Sequence, residues 1–317
     1  LKIINTFGRY YKRVLKKRVK KIPLGISGFT CPNIDGRVAK GGCTFCENES
    51  FSPNLSKNSK KFFLNPESSE NPILNRQLGE IAFQYNSTAE RYRRLGYEKF
   101  LAYFQAFTNT YAPLDTLRKL YTKALGEQDC IGLSIGTRSD CVNEEILDYL
   151  VSLQSEGNEI WIEYGIQSIF DSTLEAINRG HDSASVEKWI KKSKERGLRV
   201  CGHIIFGLPG ETPDMMLQTV EKSIEWGIDS IKIHPLYVVK NTALAVDYHK
   251  GKFKPIDEEL YIQLIVEAMK ILPSHLVVQR LTAGIGDSTL LAPAWCADKN
   301  SQLKKIRAAL RAEKIIY

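Results

Sequence analysis

Ile22-Pro23-Leu24-Gly25-Ile26-Ser27 runs into Gly28-Phe29-Thr30-Cys31, and after eleven further residues the chain reads Cys43-Thr44-Phe45-Cys46. The first run has the apolar, branched character of a buried strand. The three cysteines beyond it have a C-x11-C-x2-C spacing. Cys43 and Cys46 are close enough in sequence for two thiolates to reach one metal or cluster, and Cys31 joins them across a loop. Gly36, Gly41 and Gly42 let that loop turn tightly. In a parallel barrel, the end of a strand is the mouth where active sites gather. Three thiolates are one short of a closed tetrahedral set, so one coordination position stays open for chemistry. The alternative is a structural zinc completed by a distant fourth ligand.

Outward from this stretch, strand-like and helix-like segments alternate. Strands are predicted at residues 22–27, 99–104, 130–135, 159–165, 199–206 and 230–236. Helices are predicted at 73–95, 114–125, 144–155, 168–178 with 185–196, and 215–226. Near-continuous apolar strands separated by helices imply a parallel sheet. Six such units predict an α/β fold, a partial (β/α)6 TIM-like barrel over residues 22–236. A doubly wound sheet is the alternative, because periodicity does not show closure. Residues 1–21 read as a basic N-terminal helix. Residues 237–317 read as a C-terminal extension closing the barrel, with helices at 256–272 and 302–316 and a strand at 276–281. The polar stretch from Glu47 to Pro72 reads as a loop beside the cysteines.

The composition bounds the class. Of 317 residues, 43% are hydrophobic and 25% charged, as in a water-soluble globular chain. No apolar run is long enough for a membrane span and no secretory signal is visible, so no membrane partner is expected. Seven cysteines are too sparse for a disulfide scaffold, which favours a reducing cytoplasm. Cys130, Cys141, Cys201 and Cys296 stand singly and read as small buried hydrophobes, with Cys141 also a candidate for the mouth. The net charge is +8, and eight basic residues with no acid fall between Arg9 and Lys21. Lys12, Arg13, Lys16, Lys17, Arg18, Lys20 and Lys21 form either a solvated helix face or a contact to RNA phosphates.

The cysteine loop resembles that of the radical S-adenosylmethionine (SAM) superfamily, with Phe45 in the aromatic place before the last cysteine. Gly136-Thr137-Arg138-Ser139-Asp140, Glu163-Tyr164-Gly165-Ile166-Gln167-Ser168, Asn178-Arg179-Gly180-His181, His203-Ile204-Ile205, Leu208-Pro209-Gly210 and Gln279-Arg280-Leu281 are similar to segments of the elongator catalytic subunit's radical SAM domain. The likeness runs from about Pro23 to Leu281. It points to a stand-alone bacterial and archaeal branch without the acetyltransferase domain.

The resemblance implies a [4Fe–4S] cluster on Cys31, Cys43 and Cys46, the residues central to catalysis. It also implies SAM on the cluster's unique iron, its one-electron cleavage to a 5′-deoxyadenosyl radical, and a flavodoxin- or ferredoxin-type electron donor. It assigns Phe45, Gln105, Arg138, Glu163, Gln167, Arg179 and His203 to cofactor binding, with Arg179 on the SAM carboxylate. Gly136 stands where relatives carry a Glu for ribose or the SAM amine. Five of these residues also have a structural reading: Gln105 as a strand end, Glu163 with Gln167 as an internal pair, Arg179 as a charge at a helix end, His203 as a core histidine. Trp295 and Arg280 are candidates for the substrate mouth, although Trp295 also suits the core. The substrate implied is the C5 side chain of a tRNA wobble uridine, with a carboxymethyl-type group as the expected target. The rivals are a porphyrin-like small molecule, whose enzymes share the G-x-Q-S and G-L-P-G segments, and a non-catalytic RNA-binding protein with a structural metal.

Overall fold

The computed structural model describes residues 1–47, 62–68 and 70–317. Most of the expected Glu47–Pro72 loop therefore lies outside the described residues. The order of elements is β1 (Lys2–Ile3), α1 (Phe7–Leu15), β2 (Val19–Leu24), α2 (Pro32–Asp35), α3 (Leu74–Arg94), β3 (Lys99–Phe104), α4 (Leu114–Leu125), β4 (Cys130–Thr137), α5 (Glu144–Ser155) and β5 (Glu159–Gln167). Then come α6 (Asp171–Ala176), α7 (Ser183–Glu195), β6 (Arg199–Phe206), α8 (Pro213–Glu225), β7 (Ser230–Pro235), β8 (Val238–Val239), α9 (Ala243–His249), α10 (Glu258–Ile271), β9 (Val277–Arg280), β10 (Leu290–Ala292), α11 (Lys299–Ala312) and β11 (Ile315–Ile316).

One sheet organises the molecule, in the order β2-β3-β4-β5-β6-β7-β9. Every neighbouring pair in it is parallel. This is the expected partial barrel, and the C-terminal extension supplies its seventh strand. Side chains alternate across each strand. Ile22, Leu133, Ile135 and Ile162 join the outer core with residues of the helices. The opposite face lines a lumen. Its floor is an apolar plug of Val19, Leu101, Trp161, Cys201 and Val277 packed on Tyr11 of α1. Tyr11 donates to Glu159 at 3.1 Å and accepts from Trp161 Nε1 at 2.9 Å.

The first strand lies earlier than expected. It ends at Leu24 because side chains of α3 take over the backbone beyond it. Gln84 exchanges two 2.8 Å bonds with Gly25, and Glu80 accepts from the Ser27 amide at 2.8 Å. At its other end β2 begins at Val19, so the basic helix stops at Leu15 and Lys20 and Lys21 belong to a strand. Pro23 is tolerated there because β2 is an edge strand. Among the described residues, no helix is long and apolar enough to cross a membrane.

Candidate active site

The cysteine loop is held by local geometry and by one distant segment. Cys31 precedes α2, and its carbonyl accepts from the Ile34 and Asp35 amides at 2.7 and 3.1 Å. The loop then returns so that Gly42 N donates to Asn33 O at 2.8 Å and Cys46 N to Cys43 O at 2.9 Å. The distant segment is Asn178-Arg179-Gly180. Asn178 Nδ2 donates to Lys40 O (3.1 Å) and Gly42 O (2.7 Å), while Asn33 Nδ2 donates back to the Asn178 and Arg179 carbonyls at 2.5 and 2.9 Å. Arg179 reaches Cys43 Sγ at 3.5 Å through Nη1 and Gly165 O at 2.8 Å through Nη2. A Cβ on Gly180, whose φ is 76°, would fall 2.5 Å from Asn33 Oδ1 and 2.8 Å from Val38 Cγ1. This clamp explains why α6 is shorter than the predicted 168–178 helix. Asn178 adopts a φ of 53° and turns the chain onto the cysteine loop instead.

The loop closes the mouth of a cavity of about 550 Å3. Cys31, Cys43, Phe45, Cys46, Gln105, Arg138, Glu163, Gln167, Arg179 and His203 all line it. The ten cluster and cofactor residues read from sequence thus converge from separate elements on one space. Burial, followed by the Cys43 and Cys31 sulfurs, pushes the Cys46 thiol up; a bound cationic centre relieves that crowding. Among the described residues, the one trio of His, Cys, Asp or Glu ligand atoms within 4.8 Å of one another is Glu163, Cys201 and His203. The three loop sulfurs are therefore more widely spread than a single tetrahedral zinc would bring them, roughly 3.8 Å apart at Zn–S distances of about 2.3 Å. The Glu163 trio is itself no cation site, because lysines already occupy its carboxylate.

Beneath the mouth lies a polar layer with one side chain from each barrel strand: Lys21, Tyr103, Ser134, Glu163, His203, Lys232 and Gln279. Glu163 is buried and accepts from Lys21, Lys232 and Ser134 in short bonds and from His203 Nε2 at 2.7 Å. Lys21 also donates to Ser134 at 2.7 Å and to Gln279 of β9. Lys232 donates to the Tyr103 hydroxyl at 3.0 Å and lies 4.1 Å from that ring's centroid. Against the effect of burial, Lys21, Lys232 and His203 hold the Glu163 carboxyl well below its usual range. Burial, then Lys232, pushes His203 down to about 3. His203 is thus neutral with its proton on Nε2. Burial holds Lys232 below its ordinary range and brings Lys21 to about 8.

Several expectations change here. Lys21, read as an RNA contact, points into the barrel and is neutralised by Glu163. The Glu163 carboxylate is already bonded to Lys21, Lys232 and His203 in this layer and lines the cavity at its floor. Gln167 follows a bulge between Gly165 and Gln167, with φ at 66°, and still reaches the cavity. Lys12, Arg13, Lys16, Lys17 and Arg18 are exposed at the end of the barrel away from the cysteines. Lys17 pairs with Glu98 at 2.7 Å, and Arg18 covers Tyr97 at 4.4 Å. Lys20 lies 5.2 Å from the Tyr97 ring centroid. Cys141 is buried behind Asp140. Trp295 donates to Ile256 O at 3.2 Å and packs beside Tyr261, whereas Arg280 does line the cavity. Sequence reasoning misses Lys232 and His234 as site residues, although the alternation in Ser230-Ile231-Lys232-Ile233-His234 places both on one strand face.

The model of the radical SAM superfamily matches residues 34–222, and that of the radical SAM C-terminal domain matches residues 228–312. The chain belongs to the radical SAM superfamily. Protein YhcC of Escherichia coli K12 is 38% identical over 298 residues, covering 94% of this chain and 89% of that protein. The tRNA uridine(34) acetyltransferase of Methanocaldococcus infernus is 29% identical over 184 residues, 54% of this chain and 34% of that enzyme. The solved archaeal Elp3 from the same organism superimposes with a TM-score of 0.64 at 19% identity, over 93% of this chain and 63% of that one. The radical SAM half-barrel is thus shared with elongator-type proteins, and this chain spans about a third of the acetyltransferase's length.

Proposed function

We propose that this radical SAM protein binds a [4Fe–4S] cluster through Cys31, Cys43 and Cys46, binds SAM beside it, and modifies the C5 side chain of a tRNA wobble uridine. One observation carries the cofactor reading: three thiols meet at a cavity whose lining residues keep buried polar atoms without a partner among the described residues. These atoms are Arg138 Nη1, Gln167 Oε1 and Arg179 Nε. Such orphans are expensive in a dry protein and are satisfied by a polar ligand. Thiolates are the donors that iron–sulfur clusters take.

In this reading Phe45, Gln105, Arg138, Gln167 and Arg179 hold the cofactor. Arg138 is aimed by its two bonds to Asp140, at 2.8 and 2.6 Å. Arg179 puts a cation 3.5 Å from the Cys43 sulfur. Glu163, His203 and Lys232 keep the floor polar and rigid beneath the substrate. When bound, the cluster and SAM supply one-electron chemistry that yields a hydrogen-abstracting carbon radical. The tRNA part rests on the named activity of the acetyltransferase relative and on the net charge of +8. A flavodoxin- or ferredoxin-type electron donor and a cytoplasmic setting go with this reading.

The test is anaerobic. Protein reconstituted with iron and sulfide, then given dithionite, SAM and bulk tRNA, should release 5′-deoxyadenosine, detected by mass spectrometry. Cys43→Ala should release none. A fully loaded cluster that releases none with tRNA present would sink the reading.

A further inference from the structure

Among the described residues that line the lumen, the one carboxylate is Glu163, and two lysines and a histidine already occupy it. Two further cations line the same cavity, Arg280 at the end of β9 and Lys299 at the start of α11. Among the described residues neither has an ion-pair or hydrogen-bond partner. Arg280 is half-buried and Lys299 projects at the rim. Arg280 is in electrostatic reach of Lys299, and Gly284, also in the lining, leaves room for Lys299: a Cβ there would lie 3.0 Å from Lys299 Cβ and 2.9 Å from Cys296 O. The position is the seam between the first and last strands of the open barrel. Lys20 on β2 is a third cation in electrostatic reach of Lys299. Beside Arg280, His234 stacks on Tyr237 with centroids 5.7 Å apart and planes at 8°, a flat surface on the cavity wall.

Two cations without an acidic partner that line one cavity and lie in electrostatic reach of each other repel, and a cavity that concentrates them attracts an oxyanion. We propose that Arg280 and Lys299 clamp a phosphate of the substrate at this seam. The nucleotide whose base enters the cavity is then held through its backbone here, rather than by the basic helix α1 under the barrel floor. The proposal rests on the nucleic-acid reading of the substrate. Removing a base from its stack into an enclosed pocket needs just such a grip on the flanking backbone.

Three forms of the full chain decide it: wild type, R280Q/K299Q, and K12Q/R13Q/K16Q. Affinity for bulk tRNA is measured by fluorescence anisotropy across a salt series. Thermal midpoints are measured with and without inorganic phosphate. R280Q/K299Q should stay folded, with a midpoint in low salt no lower than wild type, because like-charge repulsion is removed. It should bind tRNA at least about tenfold more weakly, and its slope of log affinity against log salt should fall by about 0.7, one phosphate's share on a single strand. K12Q/R13Q/K16Q should lose less. Unchanged tRNA binding by R280Q/K299Q overturns the clamp and leaves the tRNA reading standing. If wild type binds no tRNA, the tRNA reading falls and the phosphate arm decides. A phosphate-dependent rise in midpoint that disappears in R280Q/K299Q keeps the clamp for a smaller phosphorylated substrate; no rise in wild type overturns the clamp as well.

Discussion

Arg179 Nη1 stands 3.5 Å from the Cys43 sulfur while Nη2 donates to the Gly165 carbonyl at 2.8 Å. One guanidinium thereby ties the cysteine loop to the end of β5, two regions far apart in sequence. Lysine keeps the charge but loses the planar fork. Arg179→Lys should therefore fold, yet hold less iron after anaerobic reconstitution, with Gly165 O left short of a donor at about 1–3 kcal/mol. Iron and sulfide per chain, beside a urea midpoint, check both parts. Full loading with an unchanged midpoint would remove Arg179 from this role.

Gly180 is required for two reasons, a φ of 76° and the 2.5 Å gap to Asn33 Oδ1. Gly180→Ala should cost about 2–4 kcal/mol, from left-handed strain together with displacement of Asn33. Since Asn33 ties the loop to Asn178 and Arg179, cluster loading should fall in parallel. Gly157 has the same sign of φ but nothing within 4 Å of its missing Cβ, so Gly157→Ala serves as the control that isolates the backbone effect.

Glu163→Gln would leave Lys21 and Lys232 charged and unpaired in the barrel. Removing one partner from such a buried set costs about 3–5 kcal/mol. Adding Lys232→Met to Glu163→Gln should recover part of the loss, because one uncompensated charge goes with it. Urea midpoints of the single and double variants measure this. A single variant within about 0.5 kcal/mol of wild type would mean that the lysines find other partners.

Stability of the cluster-free protein should fall on acidification. His203 has a folded value of about 3 against an ordinary 6.5. Between those values the unfolded chain binds the proton and the folded one does not, so stability rises with pH across this window and is lost as pH falls. Glu163, also held low when folded, acts in the same direction below the ordinary carboxylate range. His203→Gln should flatten the profile between about pH 6.5 and 3 by on the order of 3–5 kcal/mol. An unaltered slope in denaturation at stepped pH would show that His203 takes up its proton inside the fold.

Local sequence carried much of this structure. The strands at 99–104 and 199–206 and the helices at 114–125 and 144–155 lie where their apolar patterns placed them, because the strands are buried on both faces and each helix buries one continuous face. The ten residues that the sequence singled out as cluster or cofactor candidates all line one cavity. The misplacements share a cause in distant contacts. Gln84 and Glu80 of α3 displaced the boundary of the first strand. The cysteine loop recruited residues 177–180 and shortened α6. Lys21 looked like one more surface cation in a basic run, since nothing nearby in sequence reveals a carboxylate 142 positions away.

The sequence alone determined the class of molecule: a βα-alternating chain with a parallel sheet and a three-cysteine loop after its first barrel strand. Those features depend on residue type and spacing within short windows. Tertiary structure alone decided which polar residues are bonded to one another in the barrel and which keep atoms without a partner among the described residues. The seven strands curl so that Lys21, at one edge of the sheet, meets Glu163 in the middle and Gln279 at the other edge. Burying charges requires that they find one another, and curvature brings that about where spacing along the chain does not.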